Sequence, residues 1–362
     1  MKTILLEGSV LSKQVANGIS NYLSNLVLYS SQPEPALNFN TRVMVRNGYD
    51  KNIFIKELRL PKSKFLLVSE RDFFNSLIFG RLSESVDLFH SPYMFLPPKG
   101  SKRFNLLTVH DLINLENPFN LRNKSREIML RMAISRADHF ICISNSTKQK
   151  LKEHFPRLSE EQLHTIYQGI DGLFLSSLEG EAAEIALGEP YLLYVGQRSG
   201  YKNFNSLLRF LALTSWKSKL NVLCVGGGNF TLKESQDIES YKLKNVVKHV
   251  GYTTNLQLKY LYENAFALAY TSLHEGFGLP IIEAMACGCA VLCGNFSSMK
   301  EVSSNHAILM NDFSVESFEN ALAGVTEFTQ KRKSEARVYA QQFTWEKTSN
   351  NTIKLYGDLL GV

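Results

Sequence analysis

The stretch from Tyr270 to Gly294, YTSLHEGFGLPIIEAMACGCAVLCG, restricts the fold more than any other part of the chain. Tyr270 and Thr271 end an apolar strand, and a loop with Glu275, Gly276 and Gly278 follows. Pro280 then opens a short helix that stops at Gly288, after which Ala290 to Cys293 reads as another strand. Proline suits a first helical turn because it has no N–H to lose, and the glycines remove side chains where backbone can approach a ligand. The N–H groups at such a helix start favour an anion or a hydroxyl-rich group. Glu275 in the loop and Glu283 in the first turn flank that opening. Helix-dipole and turn chemistry alone would also account for these residues, but loops between parallel strands and helices are where such folds bind ligands.

The same alternation runs through the whole chain. Strands are expected at Lys2 to Gly8, Arg42 to Val45, Val86 to His90, Leu106 to His110 and His139 to Ile143. A helix at Asn17 to Tyr29 sets Ile19, Leu23, Leu26 and Val27 on one face. Further strands follow at Tyr191 to Val195, Asn221 to Val225, Val246 to Val250 and Phe266 to Thr271, with helices at Phe204 to Leu213, Asn229 to Ser240 and Asn255 to Asn264. This is an α/β pattern of parallel sheets with crossover helices. At 362 residues the chain can build two cores, and the small, acidic, strand-poor run Ser176 to Glu189 is the expected hinge. The expected division is 1–185, 186–342 and a last helix over 343–362.

A hydrophobic content of 44% with 20% charged residues describes a soluble globular protein. No apolar run approaches the roughly 20 residues of a membrane span, and Ile4 to Leu6 is too short for a secretory signal. The five cysteines lie in apolar segments without C-x-x-C spacing, which suits buried thiols in a reducing cytoplasm. A net charge of +6 is compatible with nucleotide phosphates or an anionic membrane face. P-loop, G-x-G-x-x-G and D-x-D patterns are all missing, and Gly226-Gly227-Gly228 lacks dinucleotide spacing; neither a resident metal, a cofactor nor a nucleic-acid partner is expected.

Individual side chains sharpen the expectation. Arg198 and Lys202 follow the strand ending at Val195 and offer two cations to a diphosphate, or form a solvated loop pair. Gly18 can bring helix-entry N–H groups against a phosphate. His90 and His110 fall at strand carboxyl ends, with His90 second in rank. Arg122 to Arg136 interleaves cations with Ile128, Met129, Met132 and Ile134, as a solvated amphipathic helix or one lying on an anionic membrane. The helix after Ile143 is expected to be capped near Asn145 or Ser146.

The segments E-G-F-G-L-P and E-A-M-A-C-G resemble the signature of retaining GT-B glycosyltransferases of the large glycogen-synthase-like family four. NGISNYLSNL, LLTVHDLINL, ADHFICISNSTKQKLK, YQGIDGLF and YVGQRSGYKNF are similar to further family segments, so the likeness spans nearly the whole chain and is weakest over 30–85. SSMKEV departs from the pattern, with Lys300 where proline is usual.

The resemblance implies two Rossmann-like domains facing across a cleft, the last helix, anchored by Trp345 and Tyr356, returning to the first. It implies a nucleoside-diphosphate sugar, UDP-glucose-type or GDP-mannose-type, as donor and a glycan or lipid-linked saccharide as acceptor, without a metal. Catalytic positions carried over are His110, Arg198, Lys202 and Glu275, in electrostatic and positioning roles; donor-binding ones are Gly18, Tyr252, Phe277, Gly278, Leu279 and Glu283. The implied place is the cytoplasm or the inner membrane face. A GT-B sugar-nucleotide epimerase and a silent sugar-nucleotide-binding protein are the rival readings.

Overall fold

A computed structural model describes residues 1–12, 18–30, 39–79, 85–100, 103–116, 121–176, 190–251 and 253–362. The chain divides into two compact units, one formed by Met1–Gly169 with Trp345–Val362 and the other by Ile170–Thr344.

The first unit holds a seven-stranded sheet of β1 (Lys2–Glu7), β2 (Phe39–Val45), β3 (Phe65–Leu67), β4 (Leu88–Ser91), β5 (Phe104–Val109), β6 (His139–Cys142) and β7 (Leu163–Thr165). Its order is β3-β2-β1-β4-β5-β6-β7, and neighbouring strands are parallel. Apolar residues alternate across the sheet, Ile4 and Leu6 into one core and Leu5 with Phe89 and Leu107 into another. Burial on both faces is why these strands read as continuous apolar runs rather than as half-polar ones. The helices Gly18–Tyr29 and Trp345–Leu360 share the first core, through Tyr22, Leu23, Leu26, Trp345, Leu355 and Tyr356.

The second unit repeats the plan with six strands, β8 (Tyr191–Val195), β9 (Asn221–Val225), β10 (Val247–Gly251), β11 (Ala267–Tyr270), β12 (Val291–Gly294) and β13 (Ile308–Met310). They run in the order β10-β9-β8-β11-β12-β13, again parallel. The strand order reverses between β8 and β11, so the loops leaving their carboxyl ends are the ones such a sheet opens to a ligand.

Local chemistry moves several expected boundaries. The helix of the opening motif is Leu279–Ala286, with Gly278 as N-cap at φ +111°. Pro280 is therefore its second residue and Glu283 its fifth, at the start of the second turn rather than in the first. Ser144 caps the helix Asn145–His154 by accepting from the Thr147 N–H, one residue earlier than expected. The helix expected from Asn229 begins at Leu232, because Gly226, Gly227 and Gly228 all take left-handed φ values and Thr231 supplies the cap. The five cysteines are free and buried, and burial pushes the Cys142 and Cys224 thiols up to about 12. Nearly all of the segment expected as a hinge, from residue 177 to 189, lies outside the described residues.

Candidate functional site

In the second unit the loop after β8 and the loop after β11 are tied together. The Lys202 carbonyl accepts from the Tyr194 and Thr271 hydroxyls at 3.2 and 2.7 Å, and the Leu273 N–H donates to the Tyr201 carbonyl at 2.7 Å. Lys202 Nζ then reaches Glu275 Oε1 at 2.5 Å, with both side chains largely shielded from solvent. The aromatic faces of Tyr201 and Tyr270 lie 5.2 and 5.6 Å from the same ammonium. Burial, and next the charge of Glu275, hold the Tyr270 hydroxyl well above its ordinary pKa. Ser297 and Ser298 donate to the Glu275 carbonyl at 2.9 Å each, and Ser298 also reaches the Phe277 carbonyl at 2.9 Å. The loop is thus braced from both sides, at the point where the strand order reverses.

Gly278 leads this loop into its helix. Its φ of +111° is one that side-chain-bearing residues rarely adopt, and an added Cβ would approach Ile281 to 3.1 Å. In the first turn of Leu279–Ala286 the Ile281 N–H donates to the Gly278 carbonyl at 2.9 Å, and Pro280 has no N–H to offer. Phe277 is buried and packs edge-on against Phe343, so backbone, not its ring, is what it can offer a ligand. Glu283 is partly buried; burial raises its carboxyl from 4.5 to about 7, the hydrogen bond from Tyr262 lowering it and Asp171 raising it. Tyr262, buried and 2.9 Å away through its hydroxyl, is a partner that sequence reasoning missed.

Arg198 is brought to the same end of the sheet but is not an open cation. It is 5% exposed. Its Nε donates to Glu234 Oε1 at 3.1 Å, Nη1 to the Gly226 carbonyl at 2.8 Å, and Nη2 to the Gly228 and Asn229 carbonyls at 2.7 and 3.1 Å. The Phe230 ring lies 4.9 Å from the guanidinium carbon. Glu234 was not singled out from sequence, although Thr231 and Glu234 form a readable capping box.

In the first unit, His110 follows β5 and is neutral. Burial lowers its pKa from 6.5 to about 4, which the Pro92 carbonyl partly offsets. Its Nδ1 lies 3.1 Å from the buried Gln168 amide, and Tyr22 meets its ring edge-on at 5.3 Å. Gln168 was also missed, though it stands in YQGIDGLF. His90 is fully buried between Tyr356 and Thr108, at 2.6 and 2.7 Å, and burial lowers it to about 3. Gly18 opens the first helix, and among the described residues no side chain stands within 4 Å of where its Cβ would be. Tyr252 lies outside the described residues.

Among the described residues, no three His, Cys, Asp or Glu side chains gather as metal ligands, and no helix is long and apolar enough to cross a membrane.

Comparison with known proteins adds family and fold. Residues 178–343 match the family described as Glycosyl transferases group 1, and residues 41–172 match Glycosyltransferase Family 4. The O-antigen chain mannosyltransferase RfbU of Salmonella typhimurium is 26% identical over 224 residues, 62% of this chain and 61% of that protein. O-antigen chain mannosyltransferase B of Escherichia coli is 26% identical over 292 residues, 76% of this chain and 71% of that one. Among solved structures, a sucrose-phosphate synthase of Thermosynechococcus elongatus superposes with a TM-score of 0.75 at 18% identity, covering 100% of both chains. Anabaena HepE, solved with UDP and glucose, gives 0.74 at 16% identity over 99% of this chain and 100% of its own. At such identities the superpositions establish the GT-B fold and nothing of substrate.

Proposed function

The chain belongs to the glycosyltransferases of group 1 and family four, and from that premise we propose that it moves a hexose from a nucleoside-diphosphate sugar to a hydroxyl of a glycan or lipid-linked saccharide, in surface-polysaccharide assembly. The anomeric configuration is retained and no resident metal takes part. The observation that carries this reading is the braced Lys202–Glu275 pair at the reversal of strand order in the second unit.

The bond between the anomeric carbon and the donor's phosphate oxygen breaks, and negative charge collects on the departing diphosphate. Lys202 meets that charge; one preorganised contact of this kind is worth about 10²–10³ in rate. Glu275, exchanging its lysine for the phosphate, faces the transferred sugar. The acceptor hydroxyl bonds to the anomeric carbon on the face the phosphate leaves, and its proton passes to that phosphate. Glu283 accepts from the ribose hydroxyls, backbone N–H groups of Phe277, Gly278 and Leu279 meet hydroxyls of the sugar, Gly18 admits a phosphate near its helix start, and Tyr252 brackets the base. His110, neutral, serves the same reaction as a hydrogen-bonding group.

GDP-mannose is the first donor to test, because two of the relatives are named O-antigen mannosyltransferases; UDP-glucose is the second. The purified protein is incubated with each donor, with and without a lipid-linked saccharide, and products are analysed by mass spectrometry and by NMR for anomeric configuration. Transfer that needs acceptor and survives a chelator supports the reading. An isomerised sugar nucleotide formed without acceptor would replace it by an epimerase, and an inverted product would end the retaining mechanism.

The helix Leu121–Arg136 supports a peripheral contact. Ile128 and Met132, four residues apart, are 60% and 42% exposed, and Lys124, Arg126 and Arg131 are exposed around them. Apolar side chains ringed by cations suit an anionic lipid surface. Flotation with phosphatidylglycerol vesicles but not with phosphatidylcholine vesicles is expected; equal behaviour with both removes this contact.

A further inference from the structure

Arg198 and Lys202 read alike in the sequence, as two cations beside a diphosphate, yet the fold treats them differently. Lys202 is held by a single carboxylate and two ring faces. Arg198 is enclosed: its side chain is 1% exposed, and its fork is spread over Glu234 and the carbonyls of Gly226, Gly228 and Asn229, with that of Gly227 at 3.4 Å. A phosphate could reach it only by displacing those acceptors.

The glycines make sense in the same light. Gly226, Gly227 and Gly228 have φ values of +77°, +72° and +70°, so three successive residues wind left-handed. A Cβ on Gly227 would come to 2.8 Å of both Arg198 Nη1 and the Gly196 carbonyl. The turn therefore forms around the guanidinium, and its carbonyls are spent on it. That leaves the N–H groups as the polar face the turn has to offer, and those of Gly227 and Gly228 donate to nothing among the described residues. Glu234 holds the other side: Oε1 takes Arg198 Nε, and Oε2 takes the Thr231 N–H at 2.7 Å.

We infer that Arg198 is a positioning residue rather than a phosphate ligand. With Glu234 as its partner it shapes the Gly226–Asn229 turn, whose N–H groups contact the nucleoside diphosphate, while Lys202 supplies the ionic contact. The nucleotide in this statement rests on the function proposed above; the positioning of the turn does not.

Glu234→Gln separates the two roles by sign. If Arg198 bound phosphate directly, Glu234 would compete for it, and its neutralisation would tighten binding. As a positioning pair, Glu234→Gln and Arg198→Gln each weaken GDP or UDP binding about tenfold in calorimetry. Both also speed proteolytic cleavage within residues 226–229, read by mass spectrometry. The salt dependence of nucleotide affinity stays unchanged in Arg198→Gln and flattens in Lys202→Ala, which alone loses an ionic contact. Tighter binding by Glu234→Gln, a flattened salt dependence in Arg198→Gln, or unchanged cleavage of the turn overturns the inference. If the wild-type protein binds neither nucleotide, the function reading fails while the cleavage pattern still decides whether the pair holds the turn.

Discussion

In the second unit the cations near the strand ends meet carboxylates, Arg198 with Glu234 and Lys202 with Glu275. In the first unit Arg46, just after β2, pairs with Glu70 at 2.8 Å, but the two histidines at strand ends have given up their charge. His90 and His110 are neutral by burial, and hydroxyls and an amide, from Tyr356, Thr108 and Gln168, answer them. An ion taken from water without a partner is expensive, and pairing and neutralisation are the two available remedies. The Lys202–Glu275 pair can trade its carboxylate for a phosphate. The two neutral imidazoles hydrogen-bond to their neighbours without a net charge.

Acid breaks the comparison most strongly. The unfolded chain protonates its histidines below about 6.5, whereas His90 and His110 resist protonation down to about 3 and 4. Stability is therefore full above 6.5 and is lost as pH falls toward those values, on the order of 5 kcal/mol for His90 alone. Melting temperature should fall steeply between pH 6.5 and 4, and less steeply in His90→Gln; equal slopes would show that burial is not what holds this histidine neutral. Arg198→Met comes next. It leaves Glu234 without its cation and the Gly228 and Asn229 carbonyls without their donor, a change worth about 3–5 kcal/mol for a broken buried pair. Chemical denaturation should report it, and a loss under about 1 kcal/mol would make the pair a surface ornament.

Lys202→Ala tests the same unit through chemistry. Turnover should drop by about 10²–10³, with a smaller change in donor affinity. Undiminished turnover would leave the Lys202–Glu275 pair with no part in the reaction.

What the sequence disclosed follows the same division. Lys202 and Glu275 were legible because charge in a strand-end loop stands out against apolar neighbours, Tyr191–Val195 because it is an unbroken apolar run, and Phe204–Leu213 and Asn255–Asn264 because each spans nearly three helical turns. The strands Phe65–Leu67, Leu163–Thr165 and Ile308–Met310 were not, since three residues carry no period and owe their pairing to neighbours far along the chain. Neutral partners were hidden for a related reason. Gln168, Tyr262 and the Tyr356–His90–Thr108 chain acquire meaning only when residues as much as 266 positions apart come together. The placement of Glu283 erred by one residue because the left-handed Gly278 lets the helix begin at Leu279, one residue before the proline that signals it.

Glu283 is where the second unit departs from its own rule, and it gives the smallest of these effects. Its carboxyl pairs with no cation among the described residues; burial raises it from 4.5 to about 7 and Tyr262 donates to it. The folded chain keeps this proton while the unfolded chain releases it above about 4.5, so the stabilisation is complete below 4.5 and is lost as pH rises through 7, by about 3 kcal/mol at most. The sign is opposite to that of the histidines. Glu283→Gln keeps an acceptor for Tyr262 and removes the titration, so its melting temperature should equal the wild-type value near pH 4.5 and exceed it by several degrees at pH 8. Function should move the other way. A carboxylate accepts two ribose hydroxyls where an amide oxygen with its NH₂ accepts one, so the variant should need about tenfold more donor at pH 8 with little change in turnover. Equal stability of both proteins at pH 8 would mean that Glu283 is charged and solvated in the free protein, and that burial does not hold its proton as it holds the histidines neutral.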